Sequence, residues 1–299
     1  MKKFSANLGL FILRVFNWLP VKVTRFIGSL LGTLGYYVVR ERRNVGLVNL
    51  TLCFPNMSIK EKKKIIKEHF KYLVCAVLEY GFVFFASRKD ILKYIKLKNL
   101  HYITDFYQKK PIILLCPHFV GLDLGAVRLT QEVVGFSMYS RQRNNYINEK
   151  LKDARLRFIK DKGGEVFAQQ EGFRPIIKKM RQTKGLFYYL PDQDLGAQHS
   201  VYVPFFAHQT TATVSALPKI VEMTDAVVVP SYVYFKDDHY VMEFFPAWKN
   251  YPSGNVQEDI KKMNIFIEES IKKAMPQYFW LHKRFKSQPD GRHKLYKDC

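Results

Sequence analysis

His118 and Asp123, in the stretch Cys116-Pro-His-Phe-Val-Gly-Leu-Asp123, are the residues whose types and spacing could do chemistry. A histidine beside a carboxylate can act as a general base. The carboxylate fixes the tautomer and stabilises the imidazolium; the ring takes a proton from an alcohol, whose oxygen then attacks an acyl carbonyl. Within one regular helix a five-residue offset would point the two side chains apart, whereas across a loop and a first helical turn they can converge. The run Pro111-Ile-Ile-Leu-Leu115 just before them reads as a buried strand. His118 therefore falls where a strand gives way to a helix, the place where open α/β sheets carry their chemistry. A histidine that only caps the helix is the alternative.

Further polar residues sit at similar strand ends. Asp192 and Asp194 follow the buried run Phe187-Tyr-Tyr-Leu190 at alternate positions, ahead of Gly196. Two acids there cap a turn, position a basic side chain or form a hard-cation site, for which two carboxylates alone are thin support. Arg155, Arg157 and Arg174 lie on helical runs and could pair with those acids or hold an anionic substrate. Arg155, Arg174, Asp192, Asp194 and Asn144 are thus the candidate substrate-binding residues. Cys116 completes an apolar strand, which makes it a core residue rather than a nucleophile. The four cysteines show neither C-x-x-C pairing nor a metal-ligand grouping with histidine. Lys162-Gly-Gly-Glu165 lacks the spacing of a phosphate-binding loop. No metal and no cofactor is expected.

The elements that must position these residues alternate. Strand-like runs cover Ile112–Cys116, Phe136–Tyr139, Glu165–Ala168, Leu186–Leu190, Ala226–Phe235 and Tyr240–Phe245. Helical runs cover Ile59–Ala86, Leu122–Glu132, Asn145–Lys160, Phe173–Gln182, Ala212–Glu222 and Gln257–Ala274. That order predicts an α/β fold with a mixed, largely parallel sheet flanked by helices, ending in an antiparallel hairpin. At 299 residues and 47% hydrophobic content the chain can bury a sizeable core and is not disordered.

The charge is +22, from 48 Lys and Arg against 26 Asp and Glu, a field that attracts anionic partners. In the first seventy residues these cations flank two apolar runs, Leu8–Leu19 and Phe26–Val39. Both are shorter than the ~20 residues that span a bilayer. Basic flanks around apolar helices point to attachment at an anionic membrane surface. A buried helix docked on the protein's own core is the alternative. No small-x-small site follows the first run, so a cleaved signal peptide is not expected. The aromatics fall in apolar runs rather than in a base-stacking motif, which speaks against nucleic acid. The expected organisation is an amino-terminal membrane-associating segment over residues 1–45 and a single α/β domain over 46–299.

A series of motifs resembles a known family. Arg42-Arg43-Asn44-Val-Gly-Leu-Val-Asn-Leu-Thr-Leu-Cys-Phe-Pro55 precedes the His118–Asp123 block. Ser137-Met-Tyr-Ser140, Ala154-Arg155-Leu-Arg157, Leu190-Pro-Asp-Gln-Asp194 and Val203-Pro204-Phe-Phe206 follow, and Gln277-Tyr-Phe-Trp-Leu-His-Lys-Arg-Phe-Lys286 closes the series. From about Gly28 to Tyr296 the chain resembles the late acyltransferases of lipid A biosynthesis, the lauroyl and myristoyl transferases of Gram-negative bacteria. It is most similar to the subtype with Met-Tyr-Ser and Leu-Pro-Asp-Gln-Asp, associated with neisserial lauroyl transferases.

The resemblance implies a glycerolipid acyltransferase-like fold and transfer of an acyl chain from acyl carrier protein. The acceptor would be a hydroxyl on an acyl chain of a Kdo-linked lipid A precursor, at the cytoplasmic face of the bacterial inner membrane, with no metal or nucleotide. It implies a catalytic pair of His118 and Asp123, with Arg155, Asp192 and Asp194 matching further family positions. Two positions depart: Ser140 stands where many members carry arginine, with Arg141 beside it, and Gln288 stands at another common arginine. The +22 charge suits both an acidic carrier protein and a phosphorylated glycolipid. The same chemistry on a lysophospholipid or another glycolipid is the nearest alternative. A catalytically inactive, basic membrane-binding protein is the second, and the intact His118 and Asp123 oppose it.

Overall fold

The computed structural model describes residues 2–141, 144–290, 294–297 and 299. Three helices open the chain, α1 (Lys2–Trp18), α2 (Val21–Val38) and α3 (Arg40–Cys53), followed by α4 (Ile59–Glu79), α5 (Gly81–Phe85) and α6 (Arg88–Tyr94). Strands and helices then alternate: β1 (Ile95–Lys98), α7 (His101–Thr104), β2 (Ile112–Leu115), α8 (Leu122–Leu129), β3 (Gly135–Tyr139) and α9 (Asn145–Leu156). Next come β4 (Glu165–Ala168), α10 (Arg174–Thr183), β5 (Leu186–Tyr189), β6 (Ser200–Phe205) and β7 (His208–Val214). The chain continues through α11 (Ala216–Thr224), β8 (Val227–Lys236), β9 (His239–Phe244) and α12 (Val256–Lys273).

The main sheet has the order β1-β9-β8-β2-β5-β3-β4. From β8 to β4 neighbouring strands are parallel, β9 returns antiparallel to β8, and β1 runs parallel to β9. The mixed, largely parallel sheet expected from the alternation is therefore present. Helices cover both faces, which is why β2 reads Ile-Ile-Leu-Leu without alternation: Ile113 and Leu115 enter one core, Ile112 and Leu114 the other. Asp237 and Asp238, at φ of 50° and 62°, form the left-handed pair that a two-residue hairpin turn between β8 and β9 requires.

The helix expected from Ala212 begins instead at Ala216. Residues Thr210-Thr-Ala-Thr-Val214 belong to β7, paired with β6, and their β-branched side chains favour an extended chain. The long helix expected over Ile59–Ala86 ends at Glu79. A Cβ on Gly81 would stand 2.4 Å from the Leu13 carbonyl, so α1 crosses the chain tightly at that point.

The amino-terminal helices dock on this body. α2 lies along α4 with Gly28, Gly32 and Tyr36 buried, and a Cβ on Gly32 would come within 2.5 Å of the Lys71 Cα. Positions 26, 30, 34 and 38 each lie two residues beyond a buried one, roughly 200° around the helix. There Phe26, Leu30, Leu34 and Val38 are 58–67% exposed. α1 adds exposed Phe4, Phe11 and Trp18 to the same kind of surface. α3 crosses residue 45 without a break. Among the described residues no helix is long and apolar enough to cross a membrane.

Candidate active site

β2 and β5 are adjacent parallel strands in the register Leu115↔Tyr189. Three residues beyond each paired position lie His118 and Asp192, so the register itself brings these two side by side at the carboxyl edge of the sheet. The Asp192 carboxylate accepts twice from His118. The backbone N–H donates to Oδ2 at 2.9 Å, and ring Nδ1 lies 2.6 Å from Oδ1. A carboxylate only accepts, so Nδ1 carries the proton, and Nε2 on the far side of the ring is left as the lone-pair nitrogen. Burial disfavours the imidazolium, but Asp192 and then Asp123 outweigh it and raise the His118 pKa above 6.5. Burial alone would lift the Asp192 carboxyl; His118, its two hydrogen bonds and Arg284 together hold it below its ordinary value.

Asp123 therefore does not take the orienting place at His118 that the five-residue spacing suggested. α8 starts at Leu122, so Asp123 sits in its first turn and faces α9 and α4. It binds the Arg155 guanidinium in a fork, Nε to Oδ1 at 3.0 Å and Nη2 to Oδ2 at 3.1 Å, and accepts from the Tyr80 hydroxyl at 2.9 Å. Asp123 and Arg155 are each 28% exposed and line the same cavity as His118. Asp123 acts on His118 through its charge and not through a hydrogen bond.

Asp194 lies outside the cavity lining that His118, Asp123 and Arg155 share. It is 1% exposed and spends its oxygens on Gly196 N (2.9 Å), Ser287 N (2.7 Å) and Ser287 Oγ (2.8 Å), capping the turn and pinning the carboxyl-terminal segment. Asn144, expected to contact substrate, is the N-cap of α9 and accepts from Tyr146 N at 3.0 Å and Ile147 N at 3.5 Å. Asp192 holds His118 rather than one of the helical arginines. Arg157 donates to the carbonyls of Phe82, Phe84 and Ala86, a structural use. Arg174 is exposed at the start of α10, next to Gly172 and Phe173 in the cavity wall but apart from the His118 group. Ser140 lines the cavity and donates to Gln169 at 2.7 Å. Burial pushes the Cys116 thiol up to about 12, as befits a core residue.

Residues that sequence reasoning left without a role support the histidine from behind. Phe279 N donates to the His118 carbonyl at 2.8 Å, and Val120 N to the Gln277 carbonyl at 3.0 Å, so the 277–286 block lies as a partner against the His118 loop. Asn49 on α3 donates to the carbonyls of Trp280 and His282, both at 2.7 Å, and Arg42 to that of Leu281 at 3.3 Å. His282 is neutral, pushed by burial and Arg284 to about 4, and accepts from Asp194 N at 3.1 Å. The motifs near both ends of the chain thus meet behind the His118 loop. Matching offsets past the ends of β2 and β5 were the one signal that could have paired His118 with Asp192.

His118 stands at a cavity of about 1040 Å³ with walls on both faces of the sheet. Leu122, Val127, Leu129 and Leu186 line one side; Phe136, Met138, Phe173 and Phe187 line the other. The apolar part of the lining suits hydrocarbon chains, and His118, Asp123 and Arg155 make its polar edge.

Residues 1–287 match the family model of the bacterial lipid A biosynthesis acyltransferases. The chain belongs to that family. It is similar to the lipid A biosynthesis lauroyltransferase of Escherichia coli K12, 30% identical over 287 residues that cover 95% of this chain and 92% of that one. A lipid A biosynthesis acyltransferase of Haemophilus influenzae is 32% identical over 95% of this chain and 90% of its own. The palmitoleoyltransferase of E. coli K12 is 29% identical over 96% and 93%. This acyltransferase thus aligns over 95–96% of its length with relatives whose names carry different acyl groups. A solved structure, the 1-acyl-sn-glycerophosphate acyltransferase of Thermotoga maritima, aligns over 84% of this chain and 98% of its own at 13% identity and a TM-score of 0.39.

Proposed function

We propose that this acyltransferase moves a fatty acyl chain from acyl carrier protein to a hydroxyl on an acyl chain of a Kdo-linked lipid A precursor, working at the cytoplasmic face of the bacterial inner membrane. The observation that carries the chemistry is His118, its Nδ1 tied to Asp192, at a cavity whose lining is mostly apolar. Nε2 takes the proton of the acceptor hydroxyl as its oxygen bonds to the thioester carbonyl carbon. The tetrahedral intermediate then expels the carrier's sulfur, breaking the C–S bond, and the imidazolium returns the proton to the departing thiolate. No enzyme nucleophile is needed, because the acceptor's own oxygen attacks.

Asp192 holds the tautomer and stabilises the imidazolium. Arg155, fixed by Asp123, offers a positive charge at the cavity edge to an anionic group or to the developing oxyanion. The exposed apolar faces of α1 and α2 support the membrane reading: they carry large side chains in rows, with Lys22 and Arg40 at the helix ends.

Mass spectrometry of a Kdo-bearing tetra-acylated lipid A precursor, incubated with the protein and a mixture of acyl carrier protein thioesters, tests this. One added acyl mass, absent with His118→Ala, is the expected result. Transfer to a lysophospholipid but not to the lipid A precursor would replace the acceptor and keep the mechanism.

A further inference from the structure

We infer that the exposed ridge of α10, Arg174, Lys178 and Arg181, together with Lys219 on α11, is the docking surface for the acidic carrier protein that delivers the acyl thioester. The identity of that partner rests on the function proposed above. The three α10 cations lie at i, i+4 and i+7, which places them on one stripe of the helix. Ile176 and Met180, on the other side, are buried in the core. The helix contains no acid, and its remaining lysine, Lys179, is engaged with Glu165 at 3.3 Å.

The position of the ridge matters more than its charge. Gly172 and Phe173, which lead into α10, line the cavity beside His118, and so does Lys219 on the neighbouring α11. The stripe therefore starts at the cavity wall and runs about 10 Å away from it along α10. A folded acidic protein seated there could pass an acyl arm into the cavity at the ridge's inner end.

The alternative occupant is an anionic membrane surface. A helix that lies on lipid presents apolar side chains outward beneath its cations. α1 and α2 do so, whereas the apolar side of α10 faces inward and no large apolar side chain of α10 is exposed. α1 touches α9, whose Ala154 lies in the core on the opposite sheet face from that of α10, and the outward side chains are apolar on α1 and α2 but cationic on α10. The two surfaces are thus divided between two kinds of partner, lipid at the amino-terminal helices and protein at α10.

The test is Lys178→Glu/Arg181→Glu, both positions lying away from the cavity wall, with Lys178→Gln/Arg181→Gln as a milder companion. With lauroyl acyl carrier protein as donor, KM should rise about tenfold or more in the reversed variant, less in the neutral one, and lose most of its salt dependence. With lauroyl-pantetheine, which lacks the carrier, kcat/KM should match the unmutated chain. Equal losses on both donors, or an unchanged carrier KM, would overturn the ridge. Weakened binding to phosphatidylglycerol vesicles with an unchanged carrier KM would assign it to lipid instead. Carrier binding to the His118→Ala chain separates this from the functional reading. Binding that the ridge substitutions abolish keeps the ridge even if lipid A is never acylated.

Discussion

Of the buried acids of this protein, Glu79 and Asp192 are put to different uses. Glu79 on α4 accepts from Arg25 at 3.0 Å on both oxygens, from Tyr94 at 2.8 Å and from Tyr240 at 2.7 Å, with Arg25 stacked on Phe235. Asp192 accepts from His118. Arg25, Tyr94 and Tyr240 all converge on Glu79, so the cluster ties α2 to α4 and the β8–β9 hairpin. Around Asp192 one atom is kept back: His118 Nε2 stays at the cavity edge. Burial raises the Glu79 carboxyl even beside Arg25, whereas Asp192 lies below its ordinary value. A closed ionic network fastens parts together, and the pair at Asp192 leaves one ring nitrogen for the base role proposed above.

The largest effect separating the two is catalytic. His118→Ala and Asp192→Asn should each lower kcat by roughly 10²–10⁴-fold, the second by leaving the ring without its anchor, while circular dichroism stays near that of the unmutated protein. Arg25→Ala should do the reverse: a loss of about 3 kcal/mol in denaturant unfolding, because a buried carboxylate is left without its cation, with kcat of the folded protein retained. A stable Arg25→Ala chain with lost kcat would erase the distinction.

Smaller is the effect of Leu30→Ser/Leu34→Ser on the outer face of α2. Binding to vesicles of anionic phospholipid should weaken about tenfold with little change in unfolding midpoint, since both side chains already face outward. The smallest effect is on pH. Because His118 titrates above 6.5, kcat/KM should rise with pH through a limb above that value, as the neutral base accumulates. Asp192→Asn should move the limb down, and Arg25→Ala should leave it in place. Stability runs with the opposite sign. The His118–Asp192 pair stabilises fully between 3.8 and 6.5, loses its contribution as pH rises through the raised His118 pKa, and again as pH falls through the lowered Asp192 pKa.

Much of this was legible in the chain. Ile112–Leu115, flanked by a helical pattern and followed by Pro117-His118, marked both the central strand and the histidine at its end, because a strand buried on both faces leaves a continuous apolar run. The β6–β7 hairpin was not legible, since Pro204 interrupts one strand and Thr210–Val214 adjoins the helical pattern of α11. Strand β1, four residues with a mixed pattern, gave too short a period to read.

The amino acids alone determined that a histidine would stand at a strand end with acids and arginines nearby, that the sheet would be largely parallel, and that the amino-terminal helices would be apolar with basic flanks. These follow from residue type and local period. Only the tertiary structure decided which acid meets His118, because strand register brings residue 192 closer to residue 118 than residue 123 is along its own helix turn. It also decided that Asp123 belongs to Arg155 and that Asp194 belongs to the carboxyl-terminal segment. Pairings between side chains far apart in the chain depend on how strands are ordered and aligned, and no local pattern encodes that.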